Sequence, residues 1–190
     1  MKSCEQTKGM SVYEHGTSVK NYLFDLISHL RNKTPLKYEW QLPAWVLENS
    51  EFILSQLPDD KTLELYTQYH DIGKPFCLEL DSEGKRHFPN HAEVSFEIFS
   101  KIFKNEIAAN LIRHDMDIHL LKADGVEQFC KNPLAITLLL TGLAEIHSNA
   151  PMFGGLSSTS FKIKAKSITQ RGKQILSIVN EHKRSIPSSD

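Results

Sequence analysis

The sequence predicts an all-α bundle of about seven helices carrying one small β-hairpin. Three observations lead there. Apolar residues recur at steps of three and four along most of the chain, helix-capping residues precede several of those periodic runs, and only the stretch 76–88 reads as paired extended segments. A length of 190 residues suits one domain, 1–190, with a sizeable core and little room for a second.

The first ten residues are polar, and a loose terminus is expected there. From Val12 the positions Val12, His15, Val19, Leu23, Leu26 and Leu30 form one stripe of an amphipathic helix. Residues 32–38 read as a loop containing Pro35, and Pro43 opens a short helical run through Trp45, Val46 and Ile53. Asp59 and Asp60 are N-cap candidates for a helix with Leu63, Tyr66, Thr67 and His70 on one face. Gly73 and Pro75 end it. FCLEL, DSEG and KRHF then make the hairpin. Asn90 with Glu93 reads as a capping box for a helix burying Val94, Ile98, Ile102 and Phe103. One helix over 106–119 would align Ile107, Leu111, His114 and Ile118, and another opening at Asn132-Pro133 would align Leu134, Leu138, Thr141 and Glu145. After a loop with Pro151, Gly154 and Gly155, a basic helix over 157–184 turns Phe161, Ala165, Ile168, Ile175 and Val179 inward and its lysines outward.

Composition removes several classes. Hydrophobic residues make up 40% and charged residues 24%, with 22 Lys and Arg against 23 Asp and Glu, the profile of a soluble globular chain and not of a disordered or collagen-like one. No apolar run approaches the roughly 20 residues of a membrane span, and the first ten residues lack the apolar core of a secretion signal, so a cytoplasmic chain without membrane partners is expected. Cys4, Cys77 and Cys130 form no CxxC pair, which argues for reduced thiols over a disulfide framework or thiolate zinc site. Charge is uneven: residues from Ser157 onward hold seven basic and two acidic side chains, while the rest holds 15 and 21. A basic face of this kind either attracts phosphates or is simply a solvated helix surface.

Polar residues on otherwise apolar stripes are the strongest functional signal. His15, the His70-Asp71 pair, His91, His114 and Glu145 fall on five different helices. One buried His is ordinarily a core residue satisfied by hydrogen bonds, but a buried Glu is rare unless it is paired or ligates a metal. A shared explanation is convergence on one polar centre, where imidazoles and carboxylates hold one or two divalent ions. The donor mixture suits Mn, Fe, Co, Ni or Zn better than Ca.

These residues also carry a resemblance. YHDIGKP, with His70 and Asp71, resembles the signature doublet of the HD-domain metal-dependent phosphohydrolase superfamily. His15 in YEHGTSV resembles its first metal-binding His, and His91 in HFPNHAEVS with His114 in LIRHD resembles the two added histidines of its two-metal members. Within the superfamily the order resembles the HD region of tRNA nucleotidyltransferases (CCA-adding enzymes) and poly(A)-polymerase-like proteins. The pattern departs at LTGLAEIHSNA, where Glu145 stands in place of the usual Asp, and no nucleotidyltransferase domain accompanies it. The resemblance implies that His15, His70, Asp71 and Glu145 hold one metal and His91 and His114 a second, with Asp71 bridging and catalytic. Ions of the Mn, Fe, Co, Ni, Zn or Mg type, about 3.5–4 Å apart, would activate a hydroxide for in-line attack on phosphorus.

Lys74, directly after the doublet, would reach a substrate phosphate as a flexible cation, or else merely complement the helix dipole. Asp115 would accept a hydrogen bond from a ligand His or a water, or be an exposed helix carboxylate. Lys162 and Lys166, four apart, could track a phosphate backbone, although aromatic stacking partners are sparse beyond Phe161. His29, His87, His119, His147 and His182 are assigned structural or surface roles. The expected reaction is hydrolysis of a phosphoester of a nucleotide or RNA end, by a phosphomonoesterase or 2',3'-cyclic phosphodiesterase. A dNTP triphosphohydrolase and a 3',5'-cyclic-nucleotide phosphodiesterase are alternatives on the same site. A non-catalytic nucleotide-binding regulatory module and a purely structural helical domain complete the range.

Overall fold

The computed structural model describes residues 1–7 and 9–184, and within them the fold is an all-α bundle with two short hairpins. The N-terminus differs from expectation. Instead of fraying, β1 (Glu5–Thr7) pairs antiparallel with β2 (Met10–Ser11). Buried Cys4 accepts a backbone hydrogen bond from Val12, and Glu5 is ion-paired with Arg86 across the fold. Tertiary partners hold a segment whose composition alone is too polar to predict order.

Helix α1 (Val12–Asn32) starts with a capping box in which the Ser11 hydroxyl accepts from the Glu14 amide and the Glu14 carboxylate accepts from the Ser11 amide. Its stripe Val12, His15, Val19, Leu23, Leu26 and Leu30 is buried as the periodicity predicts. Buried Asp25 on the same helix accepts from the amides of Lys37 and Tyr38 and the indole of Trp40, which pins the following loop. Helices α2 (Ala44–Glu48) and α3 (Ser50–Ser55) follow Pro43. Asp59 caps α4 (Asp60–Tyr69) by accepting from the Thr62 amide. The predicted hairpin is β3 (Glu79–Leu80) with β4 (Arg86–His87), its turn closed by Asp81, which accepts from the Glu83 and Lys85 amides.

Two helix predictions need correction. Asn90 precedes α5 (His91–Ile102) in a left-handed conformation, φ 52°, and makes no side-chain cap. Glu93 is instead taken by Arg113, in two bonds of 2.8 and 2.9 Å that tie α5 to α6 (Glu106–Arg113). The buried face of α5 is Ser95 and Phe99, and Ile102 is 60% exposed. The helix expected over 106–119 breaks into α6 and the single turn α7 (Asp117–Leu120), because Asp115 turns inward to the buried Tyr66 hydroxyl at 2.6 Å. A short α8 (Val126–Phe129) then leads to α9 (Ala135–Ser148).

Helix α9 is the centre of the bundle. Of its residues only Glu145 is not buried, and it packs against α1, α7 and the long α10 (Thr159–Arg184). His147 behaves as the structural histidine expected of it. Its Nδ1 donates to the Leu143 carbonyl and its Nε2 accepts from the Gln41 amide, and burial pushes its pKa down. His29 and His87 sit on Thr34 and Asp81 as local partners, while the His182 side chain lies outside the described residues. Phe161, Ile168 and Ile175 of α10 face inward, and Lys162 and Lys166 outward. No described helix is long and apolar enough to cross a membrane.

Close approach of α1 to α4 depends on Gly16. A Cβ there would stand 2.4 Å from the Gln68 carbonyl oxygen, a backbone atom that cannot step aside. The Gln68 side chain already spans the same contact by donating to the Tyr13 carbonyl and accepting from Thr17. Gly16→Ala is expected to cost about 1–3 kcal/mol as an overpacking change and to lower the thermal midpoint by roughly 2–12 °C. Thermal unfolding followed by circular dichroism measures it, and an unchanged midpoint would contradict the contact.

Candidate metal centre

Three helices deliver the polar cluster. His15 comes from the buried stripe of α1, His70 and Asp71 from the C-terminal end of α4, and Glu145 from α9. His15, His70 and Asp71 are each at most 2% exposed. His70 Nδ1 is 2.9 Å from the Thr67 carbonyl oxygen, so it donates there and leaves Nε2 as the atom that faces the cluster. That Nε2 faces His15 Nε2 at 3.2 Å, and the latter lies 3.5 Å from Asp71 Oδ2 and 3.7 Å from Glu145 Oε1. The ligand atoms of His15, His70 and Glu145 all fall within 4.8 Å of one another.

Charge in this cluster is unbalanced. Burial disfavours ionisation of Asp71, yet His70 and Lys74 outweigh it and hold the carboxyl far below its usual range. Glu145 behaves alike: burial opposes its charge, and His119, His15 and His70 pull its pKa well down. Burial would lower His70, but Asp71, Asp115 and Glu145 raise it to about 10. Two imidazole nitrogens and two carboxylate oxygens thus converge on a small volume that requires a positive charge. His15 Nδ1 is also buried without a hydrogen-bond partner. The donor set fits a divalent cation of the Mn, Fe, Co, Ni or Zn type.

Above the cluster opens a cavity of about 220 Å³, whose walls include His91, His119, Asn149 and Lys164. His91, in the first turn of α5, places Nε2 3.7 Å from Asp71 Oδ1 while its Nδ1 meets the Phe88 carbonyl. Asp71 therefore has one oxygen toward His15 and His70 and the other toward His91, as a bridging carboxylate needs. Lys74 is not the free cation expected. It is buried, with Nζ 2.7 Å from Asp71 Oδ2 and 3.1 Å from Gln6 Oε1 of β1, and it lies over the Phe88 ring.

His114 is a correction. Its side chain is 43% exposed and bound to Asp117 at 2.8 Å, and it lines a different cavity. The helix break at 113–117 turns Asp115 and His119 toward the cluster in its place. His119 Nε2 meets Glu145 Oε2 at 2.8 Å, and Glu145 and Asp115 raise its pKa against the effect of burial. Asp115 holds no ligand histidine. It accepts from Tyr66, and burial first, then Glu145, pushes its carboxyl upward against His70 and His119.

His119 and Lys164 are the residues that sequence reasoning missed. Lys164 lines the cavity wall but is exposed like Lys162 and Lys166, and nothing in the sequence set it apart from them. His119 follows Asp115 by four and would share its face on an unbroken helix, but only the break shows that this face turns to the cluster.

The HD domain family profile matches residues 43–150, more than half of the chain, and the protein belongs to that family. It is thereby placed in the metal-dependent phosphohydrolase superfamily, whose domains bind divalent metals. The match does not extend to the tRNA nucleotidyltransferase branch, so the finer likeness has no support. The matched span holds His70, Asp71, His91 and Glu145, while His15 reaches the cluster from α1 before it. No curated protein and no solved structure matches the chain.

Mn²⁺ at about 100 times its dissociation constant is expected to stabilise the protein by about 2.7 kcal/mol, a rise of roughly 5–10 °C in midpoint. The shift should vanish in His15→Ala and His70→Ala and persist in His114→Ala. Thermal shift against metal concentration checks this, and loss of the effect in His114→Ala would restore that residue as a ligand.

Proposed function

We propose that the protein hydrolyses a phosphoester of a nucleotide or RNA end, as a phosphomonoesterase or 2',3'-cyclic phosphodiesterase. The observation that carries this is the convergence of His15, His70, Asp71 and Glu145 at a cavity that also has Lys164 on its wall. At about 220 Å³ the cavity is smaller than the 300–1,000 Å³ or so that engulfs a drug-sized ligand. It suits a phosphate with part of its sugar, the remainder projecting outward. That favours a terminal or cyclic phosphate over a dNTP triphosphate chain or a wholly enclosed 3',5'-cyclic nucleotide.

His15, His70, Asp71 and Glu145 would hold a divalent cation, which supplies Lewis-acid charge to phosphoryl oxygens and acidifies bound water. The remaining work is done by the chain. Lys74 fixes the orientation of Asp71 and, with Gln6, excludes water from that side. His119 orients Glu145 by donating from Nε2 to Oε2. His91 presents Nε2 to the cavity beside Asp71, and Lys164 offers an ammonium group to the incoming phosphate. Lys162 and Lys166, exposed on the outer face of α10, are placed to meet the continuing backbone of an RNA substrate.

The position of His114 favours one second reading. With that histidine turned away, a second metal would keep only His91 and one oxygen of Asp71 among the expected ligands, which suits a non-catalytic nucleotide-binding regulatory module. Hydrolysis of an aryl phosphate, a 2',3'-cyclic nucleotide, a 3',5'-cyclic nucleotide and the four dNTPs with Mn, Co, Ni and Mg separates the two. Metal-dependent turnover lost in the His70→Ala/Asp71→Ala variant supports the enzyme, whereas nucleotide binding without turnover supports the module. Lys164→Ala should raise KM about 10-fold or more, the scale of one charged hydrogen bond, with little change in kcat. A fall in kcat at constant KM would remove Lys164 from phosphate binding.

A further inference from the structure

A cavity larger than the one at the metal centre lies apart from it. It measures about 750 Å³, within the range of roughly 300–1,000 Å³ of small-molecule sites, and lies between the end of α6, α7, α8 and the approach to α9. Its body is apolar, with Leu121, Phe129, Pro133 and Leu134 among its walls, and Leu120 at its edge is 70% exposed. Amide side chains of Asn110, Gln128 and Asn132 also line it, able to donate and accept with a polar substituent. Two cations, Lys122 and Lys131, complete the wall, and neither has an ion-pair partner among the described residues. The carboxylate of Asp117 at the same wall is already engaged by His114. The cavity therefore offers net positive charge beside an apolar body.

The segment 114–121 has two sides. Asp115, Met116 and His119 line the metal cavity, while His114, Asp117, Leu120 and Leu121 line this one. His119 grips Glu145, so displacement of α7 by an occupant on one side reaches a metal-centre carboxylate on the other. A single helical turn is small enough to shift as a unit. We propose that this cavity is an effector site for a small organic anion with an apolar or aromatic body, coupled through α7 to the metal centre. The coupling rests on the metal centre described above, and the binding site does not depend on hydrolysis.

The test uses the full chain and two fluorescent probes of similar shape, anilinonaphthalene sulfonate and the uncharged phenylnaphthylamine. The expected result is saturable one-to-one binding with the sulfonate at least about 10-fold tighter. A Lys122→Glu/Lys131→Glu variant with an unchanged circular dichroism spectrum should lose that preference, while phenylnaphthylamine binding stays within about 2-fold. Gln128→Trp, which fills the cavity, should abolish both. Hydrogen exchange should show sulfonate-dependent protection across 117–134, and Mn²⁺ affinity should change by about 3-fold or more when the sulfonate is bound. Sulfonate affinity unchanged in the double-lysine variant, or protection elsewhere, would overturn the site. Protection of 117–134 that rises with protein concentration without probe would make the face a contact between copies of this chain. Unchanged Mn²⁺ affinity would overturn the coupling while leaving hydrolysis untouched as a separate question.

Discussion

Two imidazole nitrogens held 3.2 Å apart, with carboxylate oxygens of Asp71 and Glu145 within 3.7 Å of one of them, form an arrangement that a low-dielectric interior holds only with positive charge nearby. The two carboxylates draw positive charge to the cluster where water cannot screen them, which is why the His70 pKa is raised. The bundle meets this demand in part with Lys74, locked on Asp71, and leaves the rest to whatever positive charge enters the cluster. A cation would take over the charge-balancing role that a proton on His70 otherwise fills. Binding a cation is therefore also a contribution to stability.

Everything near the cluster is arranged to keep that geometry. α9 is so thoroughly enclosed that Glu145 has little freedom in where it emerges, and Gly16 lets α1 lie against the backbone of α4 so that His15 reaches His70. The hydroxyl of Ser95 accepts from the Gly73 amide just beyond the HD doublet, docking α5 there and bringing His91 beside Asp71. The N-terminal hairpin closes the other side through Gln6 and Glu5. The second nitrogens of His70 and His91 are held by the nearby carbonyls of Thr67 and Phe88, and the second oxygen of Glu145 by the distant His119, which fixes tautomers and angles.

The corner between α6 and α7 is where the chain departs from the expected helix, and it decides which side chains face the cluster. Had the helix continued, residues at 111, 114 and 118 would have shared a face, and His114 would have joined the stripe. The bond from Tyr66 to Asp115 turns the chain instead. One turn of helix becomes a partition between two cavities, and His119 takes the place expected of His114 beside the candidate ligands.

Much of this was legible in one dimension. The apolar steps of α1, α4 and α10, the Asp59 cap and the Asp81 turn depend on neighbours a few residues away, and such interactions are written in local order. The HD doublet with His15 and Glu145 was legible too, because several polar groups on different buried stripes, a Glu among them, are explained together by convergence. Tertiary structure decided the rest. Glu93 could bond its own helix start or Arg113, and the two-bond charged pair with Arg113 prevailed. Gln6 had no reason to order until Lys74 was beside it. His114 and His119 exchanged roles because a hydrogen bond between Tyr66 and Asp115, 49 residues apart, broke a helix that periodicity alone would have continued.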